Sequence, residues 1–151
     1  MRVLGIDYGR RRIGLALSDA SGLLARPWKT IAGHAKLGRL ADALAAEISR
    51  LRAEDDGLEV VVLGWPRRLS GESTTDTATV EALAETLRAR VAVPVVLQDE
   101  RLSSREAEEM LARTIKDWRR RKPLLDAASA AVILQDYLDS GRRPEKENLL
   151  P

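Results

Sequence analysis

RVLGIDYGRRRIGLALSD, residues 2–19, holds a short apolar run ending on the carboxylate Asp7, a turn through Tyr8, Gly9 and three arginines, and a second apolar run. Two such runs around a glycine-bearing turn predict a β-hairpin at the start of a meander. Ser21-Gly22 marks the next turn, and LLARPWKTI at 23–31 supplies a third strand that Pro27 confines to an edge or a bulge. Three antiparallel strands are therefore expected to open the fold.

Beyond them the period changes. Leu37, Leu40, Ala41, Leu44, Ile48 and Leu51 fall on one stripe, predicting an amphipathic helix over 36–52. EVVVLGW at 59–65 is a continuous β-branched run, as expected of a strand buried on both faces, and the polar stretch PRRLSGES follows it. Val80, Leu83, Ala84, Leu87 and Val91 repeat the helical stripe before a second apolar strand, PVVLQ at 94–98. This alternation is that of parallel βαβ units, so the sheet should be mixed, in an α/β fold. Ser103 with Glu106 makes a capping box for a helix through Leu111. IKDWRRRKP at 115–123 lacks periodicity and is expected to be a mobile or ligand-ordered loop. Pro123 then favours a helix start, with the last helix running to about Leu138 and Ser140-Gly141 ending it. Four alanines close to Asp126 would let that helix lie near the sheet. Residues 1–139 are read as one domain and 140–151 as a loose tail.

The 151-residue length suits one domain, which buries roughly two thirds of its unfolded surface at this size. Hydrophobic residues make up 44% and charged residues 32%, the balance of a folded chain rather than a disordered one. Phe is absent and aromatics total 3%, so the core must be aliphatic. Cysteine is also absent, which excludes disulfides, thiol nucleophiles and thiolate metal sites and suits a reducing compartment. No apolar run approaches the ~20 residues of a membrane helix and the N-terminus shows no signal-peptide pattern, so a cytoplasmic protein without membrane partners is expected. The net charge is only +2, yet Arg10–Arg12, Arg67-Arg68, Arg119–Lys122 and Arg142-Arg143 concentrate positive charge locally.

Ligands of open α/β sheets sit beyond the carboxyl ends of the strands. Asp7 closes the first strand, Glu100 follows PVVLQ by two residues, and Asp126 lies in the first turn of the last helix. Taken singly, Asp7 could be a turn residue, Glu100 a surface charge and Asp126 an anion favoured by the helix dipole. If the strands are neighbours, the three carboxylates meet and repel one another. Hard divalent cations bind all-oxygen sites of this kind. Two such ions ~4 Å apart would activate a water and stabilise the leaving oxygen of a phosphodiester.

DYGRRRIGLALSD at 7–19, VVLGWPRRLSGE at 61–72, DERLSSREAE at 99–108 and LLDAASAAVIL at 124–134 together resemble the YqgF/RuvX family, in its order and spacing, over nearly the whole chain. The resemblance implies an RNase H-like fold similar to the RuvC Holliday junction resolvase, with a mixed five-stranded sheet flanked by helices. It implies that Asp7, Glu100 and Asp126 match the family's acidic metal-binding positions, with Mg²⁺ or Mn²⁺ as cofactor. Members are described as nucleases maturing the 5′ end of precursor 16S ribosomal RNA or as junction-resolvase-like enzymes. Two details depart from the family pattern. Gly64-Trp65-Pro66 is followed by Arg67 and Arg68 where relatives continue Gly-Leu-Pro and then Asn, and Leu124 replaces a lysine although Lys122 matches the other basic position.

The basic runs suit a nucleic-acid partner. Arg67, Arg68, Arg119, Arg120, Arg121 and Lys122 should flank the acids, and Arg10, Arg11 and Arg101 could add to the same surface and contact phosphates. Trp118 could stack on an unpaired base or be buried against a helix, whereas Trp65 is expected to pack at the strand end and Trp28 to serve as core or edge cover on the third strand. His34 is the only histidine, which argues against His-based catalysis. DYGRRRIG also has the DxG-x-x-x-x-G outline of actin-like ATPases and sugar kinases, but those bind nucleotide between two domains. A non-catalytic RNA-binding assembly factor is the alternative of another class. RNA and branched DNA satisfy the same metals and arginines, and a junction resolvase would require a homodimer with two active sites.

Overall fold

The opening run pairs as a hairpin: β1 (Arg2–Asp7) lies antiparallel to β2 (Arg12–Ser18), and β2 lies antiparallel to β3 (Ala25–Ala32). The computed structural model describes residues 1–66, 75–100, 109 and 124–141. After the meander come α1 (Leu37–Ala53), β4 (Leu58–Pro66), α2 (Thr75–Arg88), β5 (Val95–Glu100) and α3 (Leu125–Asp139). The strands form one five-stranded sheet in the order β3-β2-β1-β4-β5, with β4 parallel to both β1 and β5. β3 is an edge strand, and its register slips between the pairs Leu15–Lys29 and Ala16–Pro27. Pro27 therefore sits at both an edge and a bulge, the two places where its missing N–H costs no ladder bond.

Strand alternation divides the core. Leu4, Ile6, Ile13, Leu15, Val61 and Leu63 face α1 and α2, whose Leu40, Leu44, Ile48, Leu83 and Leu87 cover them. Val3, Ala16, Val60, Val62 and Val96 face the opposite way, onto α3. The β-branched run of β4 is thus buried on both sides, as its lack of alternation predicts.

α3 approaches the sheet closely because its inner face is small. Ala127, Ala128, Ala130 and Ala131 are completely buried, and two strand glycines lie beneath them. A methyl group at Gly5 would come within 2.8 Å of Leu134 Cβ, and one at Gly14 would collide with the carbonyl of Asp126.

Two elements differ from expectation. α2 stops at Arg88, and the chain turns through Ala89 and Arg90, whose N–H groups bond to Glu85 and Leu87 carbonyls. Val91 keeps its place against the core without being helical. β5 extends past its apolar residues to Glu100, because Asp99 and Glu100 pair with Trp65 and Pro66 of β4. Glu100 is thus the last residue of a strand rather than part of the loop after it. Apart from Glu109, the helix expected after Ser103 lies outside the described residues, as do the 115–123 loop and the chain beyond Gly141. Among the described residues no helix is long and apolar enough to cross a membrane.

The packing at Gly14 predicts a contrast between two glycines. Gly14→Ala must lift α3 and should destabilise the protein by about 1–3 kcal/mol. Gly38→Ala, in α1, meets only the end of the Arg90 side chain at 3.5 Å and should be neutral or stabilising by up to about 1 kcal/mol. Urea denaturation of both variants checks this, and equal effects would contradict the close-packing argument.

Candidate active site

The strand faces that build the core also aim the acids. Asp7 shares its face with Val3 and Gly5, and Glu100 shares its face with Val96, so both carboxylates project toward α3. Asp7 pairs with Gly14 across the hairpin, and the Asp126 carbonyl rests on that same Gly14. Glu100 reaches across Gly64, where an added Cβ would meet its Oε2 at 3.0 Å and Ile133 Cδ1 at 2.8 Å. The Ile6–Leu63 pair places Gly64 directly beside Asp7. Two glycines thus form the floor over which the ends of β1 and β5 and the first turn of α3 meet. Both were visible as glycines inside strand patterns, a recognised sign of close approach.

Burial and repulsion set the charge state. The Asp7 carboxyl is pushed up to about 8, first by burial, then by the charges of Glu100 and Asp126 and by a hydrogen bond with Glu100. Burial also raises Glu100, against the opposing effect of its hydrogen bond with Asp7. The two therefore share a proton, because two carboxylates in contact in a desolvated place cannot both ionise. Asp126 stands apart. Its Oδ2 lies 3.1 Å from Arg12 Nε in an ion pair, with the two side chains 36% and 71% exposed. Consistent with this, no group of three potential ligands is assembled for a metal ion among the described residues.

The donor set nevertheless suits a hard dication. Asp7 and Glu100 offer only oxygens, and a cation between them would relieve the repulsion that the shared proton now relieves. Asp126 lies in the first turn of the adjoining helix, near enough for its charge to act on Asp7.

Arg12 belongs to this site, although as one of three consecutive arginines it does not stand out in the sequence. It lies two residues before Gly14 on the same strand and hence on the α3 face. Arg10 and Arg11 occupy the exposed β1–β2 turn, with Arg10 Nε 3.6 Å from Asp76 at the start of α2. Arg67, Arg68, Arg101, Trp118, Arg119, Arg120, Arg121 and Lys122 all lie outside the described residues. Trp65 packs at the strand end and donates to Glu81 at 3.0 Å. Trp28 packs against the core beneath the Lys29 ammonium. His34 is exposed and, with Tyr8, Leu37 and Ala78, lines a cleft of about 320 Å³ on the α1–α2 face, away from the acids.

The family model described as RuvX: Holliday junction resolvase matches residues 1–140. A relative from Geobacillus kaustophilus, provisionally named a pre-16S rRNA nuclease, is 40% identical over 144 residues, covering 94% of this chain and 100% of the relative. One from a Nocardioides species with the same name is 45% identical over 143 residues, covering 92% and 88%. Among solved structures, Thermus thermophilus RuvC superimposes with a TM-score of 0.58 at 17% identity, over 93% of this chain and 97% of that one. The same protein in complex with a Holliday junction substrate gives 0.56 at 19% identity, over 93% and 95%. The fold is therefore RNase H-like, α/β with a mixed five-stranded sheet, as the sequence implied.

The shared proton predicts a pH dependence for the metal-free protein. Between about pH 4 and pH 8 the folded Asp7 holds a proton that the unfolded chain has lost. Its contribution to stability is full below that window and falls as pH rises through it. In EDTA, Asp7→Asn should therefore flatten the decline and raise the Tm at pH 8 by roughly 3–10 °C, the change that about 1–3 kcal/mol makes at this size. A variant less stable than wild type at pH 8 would contradict the repulsive pair.

Proposed function

The chain belongs to the RuvX family, and on that premise we propose that it is a cytoplasmic, divalent-metal-dependent nuclease that hydrolyses phosphodiester bonds of precursor 16S ribosomal RNA. The observation that carries this reading is the contact of Asp7 with Glu100 at the carboxyl ends of β1 and β5, with Asp126 near enough for its charge to act on Asp7. The names of relatives that share most of their length with this chain support the RNA substrate. A second reading, cleavage of branched DNA by a homodimer, draws on the family model's description.

Asp7 and Glu100 would hold Mg²⁺ or Mn²⁺, with Asp126 completing the set. When bound, the ions supply an activated water and neutralise the charge that develops on the phosphodiester. The chain's own part begins with the shared proton, which Asp7 and Glu100 must release to become ligands, so metal affinity should rise with pH. β1 and β5, on either side of β4 in one sheet, hold these carboxylates at their carboxyl ends, so little reorganisation is needed as charge builds. Arg10 and Arg11 extend from the turn directly after Asp7 and contact the backbone phosphates. Arg67, Arg68, Arg101, Arg119, Arg120, Arg121 and Lys122 are assigned the same role, and Trp118 a stacking contact. Such contacts confer affinity without reading sequence. One nuclease domain over 1–139 accommodates these parts.

With Mg²⁺ or Mn²⁺ the protein should cut a precursor 16S fragment faster than a four-way junction. Losing even an outer-shell partner of a metal costs roughly 10- to 100-fold, so Asp7→Asn should slow cleavage by about 100-fold or more. Its RNA binding should persist, because arginine–phosphate contacts supply the affinity. Cleavage that survives unchanged in Asp7→Asn would refute the site, and faster junction cleavage would transfer the substrate to branched DNA.

A further inference from the structure

Asp126 has two neighbours that want different things of it. Its charge is felt by Asp7, yet its carboxylate is ion-paired with Arg12. The main chain at Asp126 is pinned, because its carbonyl rests on Gly14 and the buried alanines of α3 follow immediately. Only the side chain is at liberty to turn.

We propose that Arg12 is a positioning residue that holds the Asp126 carboxylate aside in the nucleic-acid-free protein and transfers to a backbone phosphate when substrate arrives, freeing Asp126 to join Asp7 and Glu100 around the metal. The inference rests on the nuclease reading and adds an order of assembly to it. Arg12 can make this exchange. Its side chain is 71% exposed, so a phosphate can reach it, and exposed ion pairs are weak enough to be displaced. The guanidinium fork binds phosphate with two parallel hydrogen bonds, whereas here its Nε meets a single carboxylate oxygen of Asp126. The site therefore binds metal with two acids before substrate and with three after it. By linkage, nucleic acid and metal must then strengthen each other's binding.

Two equilibrium measurements test this without relying on catalysis. Calorimetric titration of Mn²⁺ into nucleic-acid-free protein should show Arg12→Gln binding about three- to tenfold more tightly than wild type. That is the effect of removing one positive charge several ångströms from a dication in a mostly aqueous setting, together with the release of Asp126. Arg12→Lys, which keeps the charge, should restore most of the wild-type affinity. In EDTA, where no cleavage occurs, Arg12→Gln should bind RNA more weakly, with a salt slope shallower by about one phosphate contact. Unchanged or weaker Mn²⁺ binding by Arg12→Gln, or an unchanged salt slope, would overturn the proposal. Wild type binding Mn²⁺ no better than Asp7→Asn would overturn the metal site itself, and the proposal with it.

Discussion

The contact between α3 and the sheet at Gly14 is the constraint on which the rest depends. An ordinary side chain at position 14 would occupy the place of the Asp126 carbonyl and push the helix, and its carboxylate, away from β1. The alanines that follow Asp126 act from the other side of the same interface, since larger residues would hold the helix off. Backbone proximity is thus obtained by giving up side-chain volume on both partners, at the level where Asp7 closes its strand.

That proximity has an electrostatic consequence. Asp7 and Glu100 are held together at the carboxyl ends of β1 and β5, where partial burial raises both carboxyls. A folded protein does not ordinarily bring buried acids together without a compensating charge. Here the compensation is a shared proton, and the chemistry of the group makes a divalent cation its natural replacement. The Arg12–Asp126 pair completes the local balance by neutralising the third acid.

Much of the fold was legible because it is written in local periodicity. β1, β2, β4 and α1 follow apolar runs and stripes whose phase nothing interrupts, and Pro27 announced the edge position of β3. Legibility failed where the deciding contact was distant. The polar pair Asp99-Glu100 looks like a loop until Trp65 and Pro66 pair with it. Val91 keeps a helical phase although α2 has already ended, because a turn can bury a side chain in the same direction. Within the site, residue type singled out the three acids as candidates but not their surroundings. Gly64 matters because of residues 36 and 69 positions further along, and Arg12 because of a helix more than 100 residues away.

The central claim is that a divalent ion binds between acids drawn from β1, β5 and α3. A Mn²⁺-soaked crystal measured at the manganese absorption edge tests it most directly. The account predicts an anomalous peak in contact with carboxylate oxygens of both Asp7 and Glu100. A peak located elsewhere, or those two side chains still joined by a proton at saturating Mn²⁺ and pH above 8, would contradict it.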